Sequence, residues 1–332
     1  MTERLPIALD AMGGDHAPHS VVEGAVLALK KQPNLHFLFF GDQLALEPLL
    51  NKNPTLLPIS QIVHCEDKIA DDAKPSAALR QSKNSSMRKA IEAVHEGRAV
   101  AAVSGGNTGA MMAIAKLVLK TLPGINRPAA ASLLPTRNGN NVVALDLGAN
   151  LECSAEELFQ FAIMGDAYAR AVLGLEYPRV ALLNVGEEDN KGHPEIREAA
   201  QMLRESDFDI NFCGFVEGTH ILQGAVDVVV SDGFTGNVML KTAEGTARLM
   251  GDFIKDAFNT NFCTKLSYLI ARPAMKAMRK KLDPRRYNGA MFLGLNGVVV
   301  KSHGGSDEYA VSFAIRSAAE LAKHRTNQRI IE

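Results

Sequence analysis

Little in this 332-residue chain declares its chemistry by inspection. It has only four cysteines, Cys65, Cys153, Cys213 and Cys263, scattered without the paired spacing of metal sites or redox motifs. They are expected to be reduced and mostly buried. No stretch reaches the ~20 apolar residues of a membrane span, and residues 1–6 lead toward the first apolar run without a signal-type segment. A cytoplasmic location is expected. Neither sign of charge is in excess, since 36 Lys and Arg against 37 Asp and Glu leave a net charge of -1. That excludes bulk attraction to nucleic acid and confines any basic surface to a local patch.

The familiar catalytic signatures are missing too. There is no Gly-x-Gly-x-x-Gly and no Gly-x-x-x-x-Gly-Lys-Ser/Thr, so neither a dinucleotide fingerprint nor a P-loop is supported. No His-Glu-x-x-His and no zinc-type spacing occurs, so no metal or other cofactor is called for. Without a Gly-x-Ser-x-Gly elbow the usual hydrolase nucleophile is absent as well. If acyl chemistry takes place, the attacking group should come from a substrate.

What the chain does have is 46% hydrophobic residues, enough for a large core. Six short apolar runs, at 7–9, 100–103, 142–145, 180–183, 226–230 and 298–300, each enter a turn of Gly, Asp, Asn or Ser. Runs of this length read as strands buried on both faces. Alternation with helical patterns predicts an α/β, Rossmann-like fold with a mostly parallel sheet and helices on both faces. In such a sheet all six turns would lie at one edge, where unpaired N–H groups favour an anion. The chain is read as one large α/β catalytic unit over 1–332, with a soft boundary near 150 if it forms two lobes.

Helices are placed by their caps. Ser154 and Glu157 form a capping box ahead of Leu158, Phe161, Ala162, Ala169 and Val172, with Gly174 as the stop. Ser85 is read as another cap, with Gly97 ending that helix, and 242–258 as a third helix. Asn138-Gly139-Asn140-Asn141 signals a tight turn or hairpin. Over 256–286 an apolar stripe of Phe258, Phe262, Leu266, Leu269 and Ile270 is interrupted by Pro273. The basic cluster Lys276, Arg279, Lys280, Lys281, Arg285 and Arg286 follows. This amphipathic helical excursion would suit an anionic membrane surface, an acidic protein, or packing on its own lobe or a dimer partner.

The candidate site residues lie in the turns. Asp232, Gly233, Thr235, Gly236 and Asn237 offer neutral donors and two glycines that admit close backbone approach. The helix behind them aims its positive end at the same point. Ser104, Gly105, Gly106, Asn107, Thr108 and Gly109 repeat that chemistry. Lys191, after Glu187, Glu188 and Asp189, is either a solvated loop lysine or a point charge for a phosphate. Asp10, Gly13, Gly14, Asp15 and His16 form a fourth group, in which a carboxylate could orient His16 as an acid or base or cap a helix. His303 and His193 are weaker candidates of the same kind.

Together Leu9-Asp10-Ala11-Met12-Gly13-Gly14-Asp15, Ser104-Gly105-Gly106-Asn107-Thr108-Gly109-Ala110, Leu145-Asp146-Leu147-Gly148-Ala149-Asn150, Asn184-Val185-Gly186-Glu187-Glu188, Ser231-Asp232-Gly233-Phe234-Thr235-Gly236-Asn237 and Tyr287-Asn288-Gly289-Ala290 resemble the bacterial acyl-ACP:phosphate acyltransferase (PlsX) family. The resemblance spans nearly the whole chain; Ser104-Gly105-Gly106 stands where some members carry Ser-Ala-Gly. It implies transfer of a long acyl group from the thioester of acyl carrier protein to inorganic phosphate, giving acyl phosphate for phospholipid synthesis. It also implies that Lys191 holds phosphate and that Asn237, with the Gly236 and Asn237 N–H groups, meets an oxyanion. His16 or His303 would protonate the thiol. A homodimer, peripheral contact with an anionic membrane through 258–286, and docking of the acidic carrier protein on the basic cluster are implied as well. Rival readings are a CoA-dependent phosphate acetyl- or butyryltransferase-like enzyme, an isopropylmalate-type dehydrogenase and a non-catalytic acyl-ligand carrier.

Overall fold

A computed structural model describes residues 6–324 together with Ile330; residues 1–5 of the N-terminal reading lie outside the described residues. The first five strands are β1 (Ile7–Asp10), β2 (Phe37–Gly41), β3 (Ser60–His64), β4 (Ala101–Ser104) and β5 (Ala129–Pro135). They are followed by β6 (Asn141–Leu145), β7 (Arg179–Leu183), β8 (Asn211–Val216), β9 (Val228–Val230), β10 (Ala290–Leu293) and β11 (Val298–Lys301). All join one sheet in the order β3-β2-β1-β4-β11-β10-β5-β6-β9-β7-β8.

Between the strands of the first part lie helices α1 (His19–Leu29), α2 (Gln43–Asn51), α3 (Pro75–Gln81), α4 (Ser86–His95) and α5 (Thr108–Leu119). Later come α6 (Ala155–Leu173), α7 (Pro194–Glu205), α8 (Gly218–Ile221), α9 (Gly233–Asn259), α10 (Phe262–Leu282) and α11 (Glu308–Lys323). Strand alternation splits the core in two. Ile7 and Leu9 join one cluster with Val22 of α1, Phe161 of α6 and Ile315 of α11. Ala8 between them joins another with Met87 of α4 and Met111 of α5. Successive side chains point to opposite faces, so helices must cover both. The expected α/β fold with a mostly parallel sheet is thus observed.

The caps also behave as read. Ser154 accepts from the Glu157 N–H at 3.2 Å while Glu157 accepts from the Ser154 N–H at 3.0 Å, and Gly174 stops α6 with φ +68°. Ser85 caps α4, and Asn138 and Gly139 lie in the turn of the antiparallel β5–β6 hairpin.

Two expectations need correction. The six turns do not share one edge: β10 is antiparallel to β11, β5 to β10, and β6 to β5. Three reversals turn β6, β7 and β9 against β1, β4 and β11, so the turns fall into two groups of three. The helix expected over 242–258 begins nine residues earlier, because the Asp232 carboxylate accepts from the Thr235 N–H at 2.8 Å and starts α9 there. Pro273, where the apolar stripe is interrupted, lies inside a continuous α10.

Candidate active site

The first group of turns, after β1, β4 and β11, is packed glycine against glycine. An added Cβ on Gly13 would lie 2.8 Å from the Gly106 nitrogen and 2.9 Å from Ser104 Oγ, and one on Gly105 would lie 2.8 Å from the Gly13 carbonyl oxygen. Gly14, at φ +107°, needs glycine on conformational grounds as well. The space among these turns is only about 10 Å³. Asp10 is buried beneath them and accepts from Ser104 Oγ at 2.6 Å and from the Met12 N–H at 3.3 Å. Burial pushes its carboxyl above the usual range, against these hydrogen bonds. Asp10 therefore braces the β4 turn. Asp15 and His16 are exposed on the loop behind, with Asp15 tied to Gly304 through its N–H at 3.0 Å. Among the described residues no hydrogen bond joins His16 to a carboxylate.

Asn107 caps α5 by accepting from the Ala110 N–H at 2.8 Å, and its amide donates to the Asp71 carbonyl at 2.6 Å. Thr108 and Gly109 occupy the exposed first turn of α5.

The second group is built around α9. Asp146, fully buried, accepts from the N–H groups of Ala130, Ala149 and Asn150 at 2.9, 3.0 and 2.7 Å. Burial raises its pKa. The braced turn receives the start of α9: an added Cβ on Gly236 would overlap the Asp146 carbonyl oxygen, and one on Gly233 would lie 2.5 Å from the Asn150 carbonyl oxygen. Donors expected to face a ligand are used internally here. Gly233 N–H donates to Asn150, Thr235 N–H to Asp232, and Gly236 N–H to the Asp232 carbonyl at 2.9 Å. What stays available is the side chain of Asn237, exposed beside Gly148, where an added Cβ would lie 3.5 Å from Asn237 Cβ.

After β7, Asn184 organises the loop that carries Lys191. Its amide donates to the Lys191 carbonyl at 3.2 Å, and its Oδ1 accepts from the Val185 N–H at 2.9 Å. Gly192 (φ +85°) sits so close that an added Cβ would overlap Asn184. Lys191 is exposed, and among the described residues its ammonium joins no ion pair. No hydrogen bond joins it to Asn237 among those residues. Asn184, Gly192, His193 and Thr235 instead form the polar end of a cavity of about 710 Å³, whose other walls include Leu134, Leu183, Ile221, Leu222, Met239 and Leu240. Turned by 100° per residue, Thr235 and Met239 face away from Asn237 on α9. Gly192 and His193, directly after Lys191, thus line the cavity on one side of the helix, and Asn237 turns to the other.

Sequence reasoning passed over Lys301. It ends β11 partly buried, with its ammonium donating to the Gly105 carbonyl at 3.2 Å and to the Ser302 carbonyl. Burial pulls its pKa down to about 8, although Asp10, Asp71 and Asp15 act against the shift. The available signal was a lysine closing a triple-valine strand directly before Ser302-His303-Gly304-Gly305.

Past the site, α9 and α10 lie against one another, with Phe258 edge-on to Tyr268 at 5.2 Å. Phe253, Phe262, Leu266, Leu269 and Ile270 remain exposed, Ile270 by 84%. No helix among the described residues is long and apolar enough to cross a membrane. The cysteines divide evenly, contrary to expectation: Cys65 is buried and Cys153 half-buried, but Cys213 and Cys263 are exposed.

A description of a family called "Fatty acid synthesis protein" matches residues 5–329. The chain belongs to that family. It is 57% identical over 330 residues to the phosphate acyltransferase of Rhodospirillum centenum, covering 99% of this chain and 93% of that one. It is 52% identical to the phosphate acyltransferase of Paramagnetospirillum magneticum over 99% and 94% of the two chains. Like these fatty acid synthesis family members, it is an acyltransferase enzyme. Among solved structures it is similar in fold to a phosphotransacetylase from Streptococcus pyogenes, with TM-score 0.66, 20% identity and coverage of 98% and 95%. A branched-chain phosphotransacylase from Enterococcus faecalis has TM-score 0.60, 17% identity and coverage of 96% and 99%.

Proposed function

We propose that this acyltransferase moves a long acyl chain from the thioester of acyl carrier protein to inorganic phosphate, releasing acyl phosphate for phospholipid synthesis. The observation that carries the reading is the 710 Å³ cavity, apolar over most of its wall and polar where Asn184, Gly192, His193 and Thr235 line it, one residue from Lys191. That volume falls within the range of small-molecule sites, about 300–1,000 Å³. The acyl chain fills the apolar part, and its thioester extends beyond the polar end, past the start of α9, to reach Asn237. Phosphate attacks the carbonyl carbon, the carbonyl becomes a tetrahedral oxyanion, and the thiolate departs as the carbonyl re-forms. No serine is required because the nucleophile arrives with the substrate.

In this reading Lys191 neutralises phosphate and the Asn237 amide donates to an oxyanion, a task its backbone neighbour Gly236 is not free to share. His16 is assigned the return of a proton to the thiolate. That contribution is small, since thiols ionise near pH ~8.5 and leave with little help. Asp10, Gly13, Gly14, Asp15, Ser104 to Gly109, Asp232, Gly233 and Thr235 shape the turns around the reactants.

We further read the exposed stripe of α10 as the part that meets an anionic membrane or a second copy of the chain, and the basic residues Arg279 and Arg285 as a dock for the acidic carrier protein. The enzyme then works in the cytoplasm, at the inner face of the cell membrane. Release of free thiol from palmitoyl-carrier protein, measured with and without phosphate and beside palmitoyl-CoA, tests the reading. Release that needs phosphate and prefers the carrier protein is expected. Release independent of phosphate, or stronger with CoA, overturns it.

A further inference from the structure

We propose that Lys301, Lys241 and His303 form a second oxyanion site, which takes a phosphate group of one of the two reactants in the transfer reaction proposed above. The three residues come from separate elements. Lys301 closes β11, His303 stands two residues on, and Lys241 reaches His303 from the third turn of α9, its Nζ 3.2 Å from His303 Nε2. Lys241 also follows Asn237 by one turn of α9. Residues at i and i+4 share a face, so the group continues the line begun by Asn237, on the side of the helix away from the 710 Å³ cavity.

The hydrogen bonding here has too many donors. An ammonium carries three N–H donors and no acceptor, and a neutral imidazole has one nitrogen of each kind. Yet both ring nitrogens of His303 face donors: Nδ1 accepts from the Gly305 N–H at 3.3 Å, and Nε2 faces the Lys241 ammonium. Protonating the ring worsens the mismatch, and the neighbourhood resists it, since burial, Lys241 and Lys301 all lower the His303 pKa. Lys301 has two carbonyl partners and, among the described residues, no carboxylate within ion-pair distance. A half-buried cation without a paired anion is costly unless something supplies the charge. A phosphate group offers several acceptor oxygens and negative charge at once.

Nearby carboxylates limit which anion fits. Asp10 from β1, Asp15 from the following loop and Asp71 from the segment before α3 all act on Lys301, and Glu244 pairs with Lys241 at 3.1 Å. The site therefore holds a compact phosphate, not a large polyanion. Two sources share this chemistry: the inorganic phosphate acceptor, and the phosphodiester of the pantetheine arm that bears the thioester.

Steady-state kinetics of the full chain tell the sources apart. Losing one charge-assisted hydrogen bond weakens binding about ten- to a hundredfold. Lys301→Met should raise a single KM by that factor and change kcat less, while Lys301→Arg, which keeps the charge, restores most of it. If inorganic phosphate is the occupant, the phosphate KM rises. If the donor arm is the occupant, the KM for palmitoyl-carrier protein rises but that for palmitoyl-pantetheine, which lacks the phosphodiester, does not. In the wild type the same KM climbs as pH passes about 8, where Lys301 loses its proton, and in Lys301→Arg it stays flat. All KM values within twofold of wild type in folded Lys301→Met would overturn the proposal. Should that variant not fold, Lys241→Gln with His303→Asn, both at the exposed rim, decides on the same criterion. Failure of the underlying reading looks different: the wild type itself would show no phosphate-dependent thiol release.

Discussion

Gly236→Ala puts the junction of α9 with the sheet to a quantitative test. In an unconstrained helix this change stabilises by about 1 kcal/mol, because glycine gives up more backbone freedom than alanine. At this position the new methyl group would overlap the Asp146 carbonyl oxygen and lie 2.7 Å from Ser231 Oγ. The Asp146 carbonyl cannot retreat. Asp146 N–H donates to the Ser231 carbonyl at 2.9 Å, and Ser231 N–H donates to the Leu145 carbonyl at 2.7 Å, which locks β6 to β9. The first turn of α9 must therefore withdraw, and overpacking of this kind costs about 1–3 kcal/mol. Against a fixed backbone the upper end applies, so net destabilisation of about 2 kcal/mol is expected after the propensity gain. Gly245→Ala, in the same helix with nothing within 4 Å of the added methyl, is the matched control and should be neutral or slightly stabilising. Urea titrations of both variants give the comparison through their midpoints. Equal midpoints would refute the packing argument. Turnover of Gly236→Ala should fall as well, because Asn237 moves with the displaced turn.

Further outcomes follow from other parts of the molecule. Asn237→Ala should lose about a hundred- to a thousandfold in kcat, the usual cost of one oxyanion donor, and a loss below about fivefold would exclude that role. Lys191→Ala should mainly raise the phosphate KM, and unchanged kinetics in the folded protein would remove Lys191 from the site. Leu269→Glu, on the exposed stripe, should reduce co-sedimentation with anionic liposomes without lowering the urea midpoint; unaltered binding would exclude membrane contact through α10. Ser154→Ala breaks a capping box seen in both directions and should cost about 1 kcal/mol of stability while leaving kcat alone.

The buried strands were legible because β1, β4, β6, β7, β9 and β11 are short apolar runs closed by turn residues. The strand direction was not. It depends on β5 and β10, and β5 begins Ala-Ala-Ala-Ser, a composition with little strand preference, so packing and not local propensity makes it a strand. Missing these two strands hides the three reversals that separate the turns into two groups. At the site, the motif residues were visible as types, but sequence gives no view of where their donors go. Gly236 N–H, Ser104 Oγ and the Asn107 amide were all read as ligand donors, and each has a protein acceptor. Lys301 was hidden for the opposite reason: it reads as an ordinary strand end until burial and the neighbouring turns are known.

The most direct measurement of the central claim is ³¹P NMR of the purified enzyme with palmitoyl-carrier protein and inorganic phosphate. The account predicts a new acyl phosphate resonance that grows in step with free carrier-protein thiol. Thiol release accompanied by free palmitate, with the phosphate resonance unchanged, would contradict it.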